Sequence, residues 1–263
     1  MGRDAAGAVP HEPVSRHRAA EDIKVQDRNG HEPDTGLSRR DFLVKALLAS
    51  GAVIAGHRGM LHAATIAGGS RADWPTRGRP LAEDLPGRTV MMYAELSLEH
   101  LTRTTAHWGI GCGRGACADK FILVSPAEPI DLHDALVRVG GRPGNNLTME
   151  SYGDVVAGDP LAVSVLWHGL EKPLGLKDVF HDGAGGGFMM RFGGNREAAL
   201  RHNTGCLTCL ESCPVGITSN AAYPHIRGIR RALTPNSTFR GRPETLPRKE
   251  AFPLVVCYRL DVQ

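Results

Sequence analysis

The chain has 263 residues and a formal charge of +3 from 31 basic and 28 acidic side chains, a near-neutral balance unlike that of a nucleic-acid binder. Hydrophobic residues at 41% and charged residues at 22% exclude disorder of the whole chain. Gly (32) and Pro (17) are abundant and aromatics scarce at 5%, which favours a turn-rich fold over a helix bundle.

Residues 1–37 are polar and hold few large aliphatic side chains, so they cannot offset their ordering entropy and are expected to be disordered. Ser38-Arg39-Arg40-Asp41-Phe42-Leu43-Val44-Lys45 follows, and then an apolar run at 46–56 rich in Ala and Gly. A basic region before a short apolar run is the pattern of a secretion signal, too short for an ordinary membrane span. The paired arginines ahead of Phe42 and Leu43 resemble the twin-arginine (Tat) motif, with Lys45 one place later than usual. His62-Ala63-Ala64 and Ser70-Arg71-Ala72 are the nearest small-residue cleavage sites, and neither is a clean Ala-x-Ala. An uncleaved signal that anchors the protein to the membrane therefore stays open. The expected organisation is a disordered region plus Tat signal at 1–65, a linker at 66–87 and one domain at 88–263. The Tat translocase moves folded proteins, so the expected product is periplasmic and suited to carry a metal cofactor loaded before export.

Within the domain, 88–96 (RTVMMYAEL) reads as a strand and 120–125 (KFILVS) as a short apolar one. Residues 131–139 read as a helix, opened by a polar cap and stopped by Gly140-Gly141. Strands are expected at 161–167, with Val163, Val165 and Trp167 on one face, and at 188–192. A second helix is expected at 195–202. The last strand, 253–260 (PLVVCYRL), places Leu254, Val256, Tyr258 and Leu260 on one face. The glycines at 183–187 lack the Gly-Lys-Ser/Thr ending of a phosphate loop and read as a hairpin or mobile loop. The sum is an α+β fold, predominantly antiparallel β, with one or two short helices and a Cys-rich loop.

That loop carries the chemistry. Cys206, Cys209 and Cys213 fall in a C-x2-C-x3-C pattern followed by Pro214. Thiolates are soft ligands for iron–sulfur clusters, zinc and copper. The pattern matches the last three cysteines and the proline of the bacterial ferredoxin run, whose first cysteine is missing here. A fourth ligand would come from Cys112, Cys117, Cys257, His107 or His202. Cys112 and Cys117 share a Gly-rich loop and could instead pair as a disulfide after export; Cys257 in a strand reads more naturally as a small core residue. Three readings of the triad stay open: an iron–sulfur cluster, another metal such as zinc or copper, or a dithiol/disulfide with Cys206 paired to Cys209.

Several further stretches give a family resemblance. They are His107-Trp108-Gly109-Ile110, Leu136 with Gly140, Pro143-Gly144-Asn145-Asn146-Leu147-Thr148 and Arg191-Phe192-Gly193-Gly194-Asn195-Arg196. Together with Gly205-Cys206-Leu207-Thr208-Cys209 and the run from Ser212-Cys213-Pro214-Val215-Gly216 to Tyr223, they resemble the YdjY domain family over about residues 86–261. The resemblance implies a ferredoxin-like protein binding a [4Fe-4S] cluster on Cys206, Cys209 and Cys213.

The function expected from these features is that of an exported iron–sulfur protein passing electrons to or from a redox partner protein. The alternative is an exported thiol or metal-binding module without electron transfer. No acid–base pair stands out as a catalytic unit, and no nucleic-acid partner is expected. The basic stretch at 225–231 with Arg240 and Arg242 reads as solvated surface or as a dock for an acidic partner. Replacing Arg39 and Arg40 together by Lys is expected to leave folded protein in the cytoplasm. Cell fractionation reads the outcome, and export of the double variant at the parental level would refute the Tat assignment.

Overall fold

The computed structural model describes residues 73–225 and 239–261. The expected signal at 1–65, the start of the linker and most of the basic stretch lie outside those residues.

The described chain runs through twelve strands and four short α-helices. The strands are β1 (Leu81–Asp84), β2 (Thr89–Leu96), β3 (Trp108–Cys112), β4 (Leu123–Ser125), β5 (Leu161–Leu166), β6 (Leu174–Gly175), β7 (Phe180–Asp182), β8 (Met190–Phe192), β9 (Cys206–Cys209), β10 (Thr218–Asn220), β11 (Phe239–Gly241) and β12 (Pro253–Leu260). The helices are α1 (Glu99–Thr102), α2 (Pro129–Arg138), α3 (Leu176–Val179) and α4 (Arg196–His202). Ten strands form one sheet in the order β6-β5-β12-β2-β4-β3-β9-β10-β8, with β1 also paired to β2. A bridge between Pro160 and Arg191, with the Phe192 N–H donating to Asp159 O at 2.9 Å, brings β8 back towards the start of β5. The sheet therefore curls around its own core.

The long strands follow directly from alternation. In β2, Val90, Met92, Ala94 and Leu96 point into the core. In β12, Leu254, Val256, Tyr258 and Leu260 do the same, while Val255 and Cys257 pack with Leu166 on the other face beneath Trp74. Side chains that alternate with a period of two make one buried face inevitable once these strands pair. Helix α2 starts at Pro129, whose fixed φ suits the first helical turn, and buries Leu132, Ala135 and Leu136. Gly140, at φ +89, ends it with the N–H groups of Gly140 and Gly141 returning to Val137 O and Leu136 O.

Four expectations need correction. The sheet is mixed: β3 runs parallel to β4, and β9 runs parallel to β10. The Cys-rich stretch is not all loop, because Cys206–Cys209 is a strand with every residue buried. The segment expected to be linker contributes β1, which pairs Leu81–Asp84 with the start of β2. Residues 183–187 close no hairpin, since β7 pairs with β11 and β8 with β10. That glycine-rich segment is pinned instead. Asp182 accepts the N–H groups of Ala184 and Gly187, and the Tyr223 hydroxyl donates to Asp182 while accepting the Gly186 N–H. Its amides are thereby committed, which explains why a glycine run here is no phosphate cradle.

A chain of buried hydroxyls crosses the core and joins β12 to β9, which are not neighbours in the sheet, and continues to β10. Tyr258 Oη meets Thr208 Oγ1 at 2.7 Å, and Thr208 Oγ1 meets Thr218 Oγ1 at 2.9 Å. Thr218 donates in turn to Leu207 O at 3.1 Å. The chain ties β12 to β9 and β10, and each buried polar atom in it has a partner. Tyr258→Phe removes one link and leaves Thr208 bonded to Thr218. Urea unfolding is expected to show a loss of about 1 kcal/mol with an unchanged m-value.

Candidate metal centre

Strand β9 is held on both edges, antiparallel by β3 and parallel by β10. Residues three apart in a regular strand point to opposite faces. Here the β3–β9 register shifts between Trp108 and Ile110 and again between Ile110 and Gly111. With this irregularity, Cys206 and Cys209 both join Cys213, Phe121 and Val215 in one buried cluster, apart from the main core that holds Leu207. Glycine makes the packing around them possible. A Cβ on Gly111 would lie 2.1 Å from the Phe121 ring, and one on Gly216 would lie 2.9 Å from Cys209 Sγ.

The three thiols lie in one buried cluster and influence one another's ionisation. Cys213 is held well below the usual thiol range by hydrogen bonds from Cys206 and Cys209, against the opposing effect of burial, with His107 adding to the depression. Cys209 is pushed well up by its bonds to Cys206 and Cys213 and by burial. At Cys206 the bond from Cys209 favours the thiolate, but the bond to Cys213 and burial together push it up.

His107 comes from the segment just before β3, whose carbonyl accepts the Leu210 N–H at 2.8 Å. Its side chain is 14% exposed, and Nδ1 lies 3.8 Å from Glu211 Oε2. One ligand atom each from His107, Cys209 and Cys213 fall within 4.8 Å of one another. Ser219 Oγ and His225 Nε2 are among the buried polar atoms that lack a hydrogen-bond partner within the described residues. Ser219 is the β10 register partner of Cys209. The His225 imidazole is depressed by burial, while the Cys213 charge acts in the opposite sense.

The other candidate ligands are distributed differently. The loop from Cys112 to Cys117 abuts the entry to β9 through Ala116 N–H to Asn203 O at 2.9 Å and Cys112 N–H to Gly205 O at 2.8 Å. A Cβ on Gly115 would come within 2.4 Å of Gly205 Cα, so this approach requires glycine. Cys117 packs against the sulfur cluster, and Cys112 instead faces Glu128, with Sγ 3.5 Å from Oε2. Burial pushes the Cys112 thiol up. All six cysteines are free, and the two loop thiols have different surroundings. Cys257 is buried on the outer face of β12, and burial pushes its thiol up to about 12. His202 ends α4 and is exposed.

Sequence reasoning missed the clamp on this site. Asn195 sits in the left-handed region at φ +53. Its Nδ2 donates to both Cys213 O and Gly216 O, each at 3.0 Å, and its own N–H donates to Asn145 Oδ1 at 2.9 Å. Gly194 leaves room for this, since a Cβ there would lie 2.3 Å from Asn145 Oδ1. The paired asparagines and glycines of the two motifs therefore meet on the cysteine loop. An asparagine after two glycines was the available signal.

The YdjY domain family matches residues 83–259. The chain belongs to this family. A relative from Escherichia coli (strain K12), "Uncharacterized protein YdjY", is 38% identical over 176 residues, covering 66% of this chain and 76% of its own. No solved structure matches. In this YdjY domain, Asn195→Gly keeps the left-handed backbone available but removes both donors. It is expected to cost about 1–3 kcal/mol in urea unfolding. Asn195→Asp, which turns an oxygen towards two carbonyls, is expected to cost more. Parental stability for the glycine variant would show that the clamp carries no energy.

Proposed function

We propose that this YdjY domain is a metal-binding module whose centre is formed by Cys206, Cys209 and Cys213 with His107. The observation that carries the reading is the convergence of buried soft donors: His107, Cys209 and Cys213 share one space within 4.8 Å, and Cys206 is buried in the same cluster as the two cysteines. Buried thiols without a disulfide, beside buried polar atoms that lack partners, suit a bound metal better than an apolar core. When bound, a soft metal supplies a fixed point for the loop and, if redox-active, a site for one electron. The chain's own contribution is to exclude water, to hold the loop through Asn195 and to orient His107 beside Glu211.

The cysteine spacing with its following proline favours a second version of the same reading, an iron–sulfur carrier that exchanges electrons with a partner protein. Export by the Tat route to the periplasm belongs to the proposal in either form and rests on Arg39 and Arg40. No helix among the described residues is long and apolar enough to cross a membrane.

Anaerobic purification followed by elemental analysis and sulfide determination tests the reading. Cys206→Ser, Cys209→Ser and Cys213→Ser are each expected to lower metal content and stability, because binding is coupled to folding. Cys112→Ala and Cys257→Ala are expected to retain the metal. A parent protein that stays metal-free after anaerobic reconstitution with iron and sulfide and with zinc would overturn the proposal.

A further inference from the structure

We infer that the centre holds a single borderline-soft divalent ion of the zinc class on a Cys3His set, with His107 as a ligand, and not a four-iron cluster. The inference rests on the metal-binding reading above and specifies its chemistry.

The first argument is spacing. Donors on one tetrahedral ion, with bonds of about 2.3 Å to sulfur and about 2.0–2.1 Å to nitrogen, stand roughly 3.5–3.8 Å apart. The His107, Cys209 and Cys213 donors lie within 4.8 Å of one another, so a small inward adjustment closes them on one ion. A four-iron cluster places each thiolate on a different iron, at the outer corners of a body of four irons and four sulfides. Its ligands must stand much further apart than donors on one ion. The spacing here leaves no room for such a body between Cys209 and Cys213.

The second argument is that the site cannot readily open. Cys209 is fully buried at the end of a strand, opposite Trp108 on one edge and Ser219 on the other. The space beside its sulfur is already so close that a Cβ on Gly216 would stand 2.9 Å from Sγ and 3.0 Å from Ser219 Oγ. Cys213 is tied through its carbonyl to Asn195. Moving the sulfurs apart by the width of a cluster means breaking strand pairing or the clamp.

The third argument is the donor set. Single zinc-class ions commonly take mixed thiolate and imidazole ligands, Cys3His among them, whereas ferredoxin-type clusters are held by four cysteines. His107 is the donor that joins Cys209 and Cys213 at short range, and the Glu211 carboxylate lies 3.8 Å from its Nδ1. Cys206, outside that short-range group but buried in the same cluster as Cys209 and Cys213, is the remaining soft donor for a fourth bond. Binding a divalent ion through three thiolates releases to solvent whatever protons the cysteine thiols carry, and no electron changes hands.

The test loads the full chain with zinc chloride, with cobalt(II) chloride, and separately with iron and sulfide under anaerobic conditions. The expected result is one zinc or one cobalt per chain. Cobalt should give tetrahedral ligand-field bands, and X-ray absorption of the zinc form should give three sulfurs and one nitrogen. His107→Ala is expected to weaken zinc binding at least ~10-fold and to shift the cobalt bands, and His107→Cys to restore tight binding. Four irons and four sulfides per chain would overturn the inference while sparing the metal-binding reading. So would one zinc bound through sulfur alone in the parent protein, a measurement that needs no variant to fold. Failure to bind any of the three loads would remove the metal-binding reading itself.

Discussion

Strand β9 is paired along both edges, and that double pairing governs what its cysteines can do. A cysteine on a free loop can swing towards a metal of any size. Cys206 and Cys209 have their backbone fixed by β3 on one side and β10 on the other, so their sulfurs start from positions set by the sheet. The register shifts against β3 are the local irregularity that turns both thiols into the same small cluster. Desolvation then acts on the group as a whole. Three thiolates buried together would repel; hydrogen bonds from Cys206 and Cys209 favour the charged form at Cys213, while the bonds to Cys213 and burial push the other two thiols up. The same burial that makes the cluster costly as three free thiolates makes it a strong host for a cation.

Around this strand, the glycine- and asparagine-rich motifs divide into two tasks. Gly109, Gly111, Gly115, Gly205 and Gly216 allow approach, because each lies where a side-chain carbon would collide with a neighbour. Asn145, Asn195 and Asn220 supply the hydrogen bonds that hold what has approached. Asn220, fully buried, donates to Leu210 O at 3.2 Å and to Gly187 O at 2.8 Å, joining the cysteine segment to the glycine-rich one. Buried amides of this kind stabilise only when their partners are all present, so the motifs work as a set.

The long amphipathic elements were legible in the sequence for a simple reason. Strand β12 spans the residues expected of it, and β2 and β5 differ from their expected ranges by one residue at an end, because each carries a buried alternation long enough to be seen. Helix α2 announced itself through its spacing and Gly140, although it starts at Pro129, two residues before the expected polar cap, with no side-chain cap bond. Strands β3, β9 and β10 were illegible because their residues look like loop. Trp108–Cys112 contains two glycines, and Thr218–Asn220 is polar yet wholly buried. The pairing of β3 with β9 joins residues about a hundred positions apart, such as Trp108 and Cys209, which no local window contains. At the site, residue type alone pointed to Cys206, Cys209, Cys213 and His107. It did not separate Cys117, beside the cluster, from Cys112, turned to Glu128, because that difference arises from the fold of one short loop.

The tie between Asp182 and Tyr223 has a consequence for the conditions under which the molecule holds together. Tyr223 grips the glycine-rich segment with its hydroxyl and, through its carbonyl, accepts the Ser212 N–H from the cysteine loop at 3.1 Å. Burial alone would push Asp182 up, but hydrogen bonds from Tyr223, Gly187, Ala184 and Gly185 outweigh it and hold the carboxyl below its ordinary value of 3.8. The carboxylate's contribution to stability is therefore present above that ordinary value and is lost as pH falls through the lowered one. Burial first, and then the bond to Asp182, push the Tyr223 phenol from 10.0 up to about 12. Its contribution is complete below the ordinary phenol value and is lost as pH rises through the raised one. Between those limits neither partner changes charge, so the link between the two loops is indifferent to proton concentration across the whole neutral range.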